Sequence, residues 1–152
     1  MTCASIMTHN PKSVTESETI GRAAAEIIAH RYVNLPVIDR QGRLVGLFGV
    51  YDLLALMVPR VAIIGNLLPN LRFMSDNMDD LYAKFEELRN APIRRAINRE
   101  PVVVYPETPV IEAIRLFCRN HLTLPVVEKE SRKLAGIISY WDAAQAIMGP
   151  KK

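Results

Sequence analysis

The feature that most constrains this chain is an internal duplication, in which one ordered set of residues occurs twice. Glu18 and Thr19 answer Glu107 and Thr108, Ala24 answers Ala113, and Leu35-Pro36-Val37 answers Leu124-Pro125-Val126. Leu44 then matches Leu134, Gly46 matches Gly136 and Asp52 matches Asp142. The register slips only before the first helix and in the hairpin turn. With 152 residues in all, two such units are too small to bury much apolar surface separately. They are expected to close on each other as a pseudo-two-fold pair, leaving clefts between them.

Each unit reads as strand, helix, strand, strand, helix. In the first, Ser13-Val14-Thr15 is a short strand candidate, and a helix starts at Glu18-Thr19. Ile20, Ala23, Ala24, Ile27 and Ile28 form its apolar face at helical spacing. Val33 to Ile38 is a buried strand in which Pro36, having no N–H, belongs near the start or on an edge. Asp39-Arg40-Gln41-Gly42 is a turn, Leu44 to Phe48 the returning strand, and Asp52 to Val58 a helix ended by Pro59. In the second unit Pro101 to Val104 is the first strand. Val110, Ala113, Ile114 and Phe117 face the core from a helix opened by Pro109. Leu124 to Val127 and Leu134 to Ile138 are the hairpin, and Asp142 to Met148 the closing helix, stopped at Gly149-Pro150.

Both units end on one plan, Gly136-Ile137-Ile138-Ser139-Tyr140-Trp141-Asp142 and Gly46-Leu47-Phe48-Gly49-Val50-Tyr51-Asp52. A strand runs into a helix start and brings a hydroxyl, a carboxylate and free backbone N–H groups together. Two readings stand side by side. Ser139 and Asp142 form a capping box that needs no ligand. They also suit a ligand carrying both a phosphate and a diol.

Composition narrows the classes. Apolar residues make up 49% and charged residues 23%, as in a soluble globular protein, and the formal charge is only +3. Lys and Arg are scattered, which argues against nucleic acid. Cys3 and Cys118 form no C-x-x-C pair, the histidines lack ligand spacing, and no metal is expected. No signal peptide or bilayer-spanning run is visible, so a cytoplasmic location without membrane insertion is the expectation. No P-loop, dinucleotide glycine motif or catalytic constellation appears, which argues against an enzyme.

The order of elements, the Leu-Pro-Val segments and the Gly-x-x-Ser-x-x-Asp ending resemble the CBS domain. Two copies resemble a CBS pair, or Bateman module, with residues 4–58 as the first repeat, 59–90 as a helical connection and 91–149 as the second. The resemblance implies an α+β fold and a non-catalytic regulatory role, energy sensing among its forms. The implied ligand is an adenosine-containing molecule, AMP, ADP, ATP or S-adenosylmethionine, with no cofactor required. It further implies that the motif carboxylate binds the ribose hydroxyls, that the motif hydroxyl contacts ribose or phosphate, and that the partner repeat holds the adenine. Carried over residue by residue, one site joins Ser139 and Asp142 to Thr8, Ser13, Val14, Tyr32, Val33 and Asn34. The pseudo-symmetric site joins Asp52 to Val102, Val103, His121, Leu122 and Thr123, and is the weaker because Gly49 replaces the hydroxyl.

An ionised aspartate that accepts from both hydroxyls of a diol makes charge-assisted bonds worth about 1.5–3 kcal/mol each. Candidate phosphate partners are His9, Lys12, Arg31, Arg99, Arg119 and His121. In the connection, Ile63, Ile64, Leu67, Leu68, Leu71 and Phe73 suit either a packed bridge or a homodimer or partner surface. A helix through Leu81, Phe85 and Leu88 follows an acidic start. The sequence therefore carries two functions of different kinds. One is a ligand sensor that acts on a separate protein, and the other is a ligand-independent dimer scaffold.

Overall fold

A computed structural model describes residues 1–58 and 78–149. The apolar stretch from Ile63 to Phe73 lies outside the described residues. The elements follow the duplicated plan. After a 3-10 turn at Cys3–Ser5 come β1 (Thr8–His9), α1 (Ile20–His30), β2 (Asn34–Ile38), β3 (Leu44–Gly49) and α2 (Val50–Ala55). Then follow α3 (Met78–Leu88), a 3-10 turn at Ile93–Arg95, α4 (Val110–Phe117), β4 (Thr123–Val127), β5 (Leu134–Ser139) and α5 (Tyr140–Met148). Helices and antiparallel hairpins in this mixture make the fold α+β.

Local chemistry accounts for the boundaries. The Thr19 hydroxyl accepts from the Arg22 N–H at 3.2 Å and caps α1, which ends on Arg31 in the left-handed region at φ 54°. The closing helices start earlier than the apolar spacing indicates, at Val50 and Tyr140, because Gly49 and Ser139 are their N-caps. The two leading strand candidates shrink to single parallel bridges, Val14 to Val37 and Val104 to Val126. Val14 N–H donates to the Pro36 carbonyl at 3.0 Å, and Val104 N–H to the Pro125 carbonyl at 3.0 Å. Pro36 sits mid-strand, paired with Leu47, and its carbonyl accepts the one bond from Val14.

The hairpins β2–β3 and β4–β5 are joined in a way the linear order does not reveal. Segments are exchanged between the repeats. The N-terminal β1 pairs with β5 of the second repeat, Thr8 opposite Ile137 and His9 opposite Gly136. Reciprocally, Asn98 pairs with Leu47 of the first repeat through bonds of 2.8 and 2.9 Å. The cores follow the same exchange. Ile93 is fully buried with Ile20, Ala23, Ile27, Leu35, Val37 and Phe48 of the first repeat. Cys3 is fully buried with Val104, Ala113, Leu124, Val126 and Ile138 of the second. Phe85 and Leu88 of α3 pack on the first core. Each lead-in segment thus closes the other repeat, and the two hairpin turns meet where Leu134 N–H donates to the Gly42 carbonyl at 2.9 Å.

Candidate functional site

The exchange places residues of both repeats around one hollow of about 310 Å³. This is at the lower end of the range for small-molecule pockets. From the second repeat come Thr123 at the start of β4, Ile137 and Ser139 of β5, and Tyr140, Trp141 and Asp142 of the first turn of α5. From the first repeat come Thr8 of β1, Pro11 and Lys12 after it, Arg31 at the end of α1, and the run Tyr32 to Pro36 that leads into β2.

Ser139 and Asp142 are locked together. Ser139 N–H donates to Asp142 Oδ2 at 2.7 Å, and the Ser139 hydroxyl donates to the same oxygen at 2.9 Å. Asp142 N–H returns a bond to Ser139 Oγ at 3.3 Å. The capping box is therefore formed in full, and it uses only one carboxylate oxygen. Asp142 Oδ1 has no hydrogen-bond partner among the described residues. Capping and ligand binding are thus compatible, because the cap fixes the carboxylate while one oxygen remains to accept hydroxyl protons.

The residues expected at this site divide. Thr8, Tyr32, Val33, Asn34, Ser139 and Asp142 line the same hollow. Ser13 and Val14 line a different one, of about 490 Å³, with Thr15, Glu18, Arg22 and Glu26. Val14 is buried and spends both backbone groups on β2, donating to Pro36 and accepting from Ile38. Of the phosphate candidates, Lys12 and Arg31 reach the hollow. Lys12 lies 3.9 Å from Glu26, an exposed pair of little energetic weight. Arg99 is committed to Glu16 at 2.9 Å, whereas His9, Arg119 and His121 do not line the hollow.

Pro11, Leu35, Pro36, Thr123, Ile137, Tyr140 and Trp141 line it without having been singled out for it. Tyr140 and Trp141 lie inside the Ser139–Asp142 motif, and their ring centroids are 5.2 Å apart. Their place between cap and carboxylate is the sequence signal that marks them.

The Asp52 end is different. Gly49 offers no hydroxyl, and only the backbone half of the cap remains, Gly49 N–H donating to Asp52 Oδ2 at 2.8 Å. Asp52, Val102, Val103, His121 and Leu122 line neither hollow, and Thr123 belongs to the Asp142 hollow. Burial pushes the Asp52 carboxyl above the usual carboxylate range, against the Gly49 N–H bond that pulls it down. A carboxyl raised on folding binds its proton more tightly in the native state. Its contribution is complete below the unfolded value and is lost as pH rises through the folded one. Asp52→Asn keeps an acceptor for Gly49 N–H and removes this penalty. Its thermal midpoint should therefore exceed that of the parent at pH 7, with the gap closing below pH about 4. A gap that widens on acidification would contradict the assignment.

Among the described residues no group of three or more His, Cys, Asp or Glu side chains is placed to hold a metal, and no helix is long and apolar enough to cross a membrane.

Comparison with known proteins agrees with this architecture. The CBS domain model matches twice, at residues 3–59 and 93–149. No curated protein matches the chain. Among solved structures, CBSX2 from Arabidopsis thaliana is 25% identical, with 97% of this chain and 94% of that chain covered and a TM-score of 0.73. A structure of CBSX2 in complex with AMP is likewise 25% identical, covering 97% of this chain and 96% of that chain with a TM-score of 0.72. The CBS domain pair of MJ0100, in complex with 5′-methylthioadenosine and S-adenosyl-L-methionine, shares the fold at 22% identity. There, 99% of this chain and 98% of that chain are covered, with a TM-score of 0.67. With both halves matched and the hairpins closed on each other, the chain belongs to the CBS-domain family as a tandem pair.

Proposed function

We propose that the chain is a regulatory, non-catalytic module. It binds an adenosine-containing ligand in the hollow beside Asp142 and signals to a separate protein. The carrying observation is the pre-set carboxylate, held by Ser139 through one oxygen in a hollow built from both repeats. The other oxygen is the acceptor for the ribose hydroxyls. Lys12 and Arg31 line the same hollow and supply positive charge for a phosphate. The molecules in complex with two CBS-pair structures, AMP in one and 5′-methylthioadenosine with S-adenosyl-L-methionine in the other, support an adenosine compound as the class. A ligand held by both repeats favours one relative arrangement of them, and this differential affinity is the signal.

Trp141 is the sole tryptophan and lines the hollow, so it reports on binding. Titration with AMP should change its fluorescence saturably. AMP at about a hundredfold excess over Kd should stabilise the fold by about 2.7 kcal/mol. If AMP, ADP, ATP and S-adenosylmethionine all leave fluorescence and thermal midpoint unchanged, the sensor reading is wrong.

The second reading is a ligand-independent homodimer scaffold. It is favoured by the apolar side chains that the closing helices expose, Tyr51 and Leu54 on α2 and Ile147 and Met148 on α5. A dimer whose sedimentation ignores all four ligands would favour it.

A further inference from the structure

We propose that Asn34, together with the Val33 carbonyl beside it, restricts this pair to a single ligand site by filling the place that a residue-49 side chain would occupy. The inference rests on the reading above, in taking the Asp142 hollow as the occupied one.

The two repeats differ at a matched pair of positions. Asn34 opens β2 and lies opposite Gly49, whereas Thr123 opens β4 and lies opposite Ser139. A Cβ added at Gly49 would collide with Asn34 Oδ1 and would lie 2.7 Å from the Val33 carbonyl oxygen. The Asn34 carboxamide therefore covers Gly49, where the second repeat has its hydroxyl. Its other end crosses to the opposite repeat, where Asn34 Nδ2 donates to Thr123 Oγ1 at 3.1 Å. The larger side chain stands opposite glycine and the smaller one opposite serine, so the sizes compensate within each pair.

The backbone differs in the same sense. Val50 N–H, at the start of α2, donates to the Val33 carbonyl at 2.9 Å and closes the first repeat's helix start onto the lead-in to β2. Among the described residues no such bond joins Tyr140 N–H to the Leu122 carbonyl, and Tyr140 lines the Asp142 hollow. One helix start is thus covered by its own chain, and the other opens into a hollow. Asp52 is left with the Gly49 N–H and no neighbouring hydroxyl.

Calorimetric titration of the whole chain with AMP tests this. The expected stoichiometry is one AMP per chain, and Asp142→Asn should weaken that single event about 10- to 100-fold with no second site appearing. Asn34 also lines the Asp142 hollow, so the exchange Asn34→Thr with Gly49→Ser, which copies the second repeat's pair into the first, is read in the Asp142→Asn background, where it should create AMP binding of one per chain at the Asp52 end. Two molecules bound to the parent chain would overturn the proposal. So would a folded triple variant, checked by circular dichroism, that binds AMP no better than Asp142→Asn alone. Absence of AMP heat from the parent chain counts against the sensor reading, not against Asn34. Amide exchange on the free protein then decides the matter, with Val50 N–H expected to exchange at least tenfold more slowly than Tyr140 N–H. Equal rates would overturn the closed helix start.

Discussion

Asp142→Asn is expected to weaken AMP binding about 10- to 100-fold while leaving the free protein folded. The argument separates the two duties of this carboxylate. Oδ2 completes the cap by accepting from Ser139 N–H and the Ser139 hydroxyl. An asparagine oxygen can still accept from the backbone N–H, so the helix start keeps its main bond. What disappears is the negative charge. Bonds to a charged acceptor are worth about 1.5–3 kcal/mol and neutral ones about 0.5–1.5 kcal/mol, and two ribose hydroxyls lose that difference together. A loss of about 1.4 kcal/mol is tenfold in affinity. Calorimetry and the thermal midpoint, measured with and without AMP, give both numbers. If the free midpoint falls and the AMP affinity is unchanged, Asp142 is a cap and nothing more.

Gly46→Ala is expected to be the most damaging small substitution for stability, at about 3 kcal/mol. A Cβ there would run into the Asn98 carbonyl oxygen and lie 3.1 Å from its carbonyl carbon. That group is backbone and cannot rotate aside. Relief requires Asn98 to withdraw, which breaks the paired bonds between Leu47 and Asn98. The same movement pulls on Ile93, which is fully buried in the first core. Urea denaturation should show a lower midpoint. An unchanged midpoint would mean that the exchanged segment contributes little. Gly136 is the counterpart, where a Cβ would lie 2.7 Å from both the Thr8 carbonyl oxygen and Met7 Sδ. Its replacement should therefore also disturb the Asp142 hollow, because Thr8 forms part of the wall.

These two glycines show where the sequence can be read and where it cannot. Their recurrence is plain in the duplicated pattern, as is the hydrophobic spacing that gives α1, α4 and the two hairpins. The reason for the glycines is not plain. Each makes room for a backbone segment from the opposite repeat, and such pairing uses N–H and C=O groups that every residue carries. It leaves no period and no side-chain signature. For the same reason the sequence indicates longer leading strands than form, since Val14 and Val104 each make one bridge and their neighbours none.

The site divides along the same line. Ser139 and Asp142 were legible because cap chemistry acts over three residues of continuous chain. Tyr32, Val33 and Asn34 were reachable only through the resemblance to a family. The arrival of Trp141, Lys12, Arg31 and Thr123 at the same hollow depends on how two hairpins close across an exchanged strand.

By itself the sequence determined a duplicated α+β chain with one intact hydroxyl–carboxylate motif and one lacking its hydroxyl, because periodicity and capping are local and written residue by residue. Only the tertiary structure decided which residues of the first repeat meet Ser139 and Asp142 around one hollow, through contacts between distant parts of the chain. The Asn34 side chain, which lies over Gly49 and reaches Thr123, is such a contact, between residues 89 positions apart. Close packing sets such contacts by shape, and shape at that distance exists only once the chain has folded.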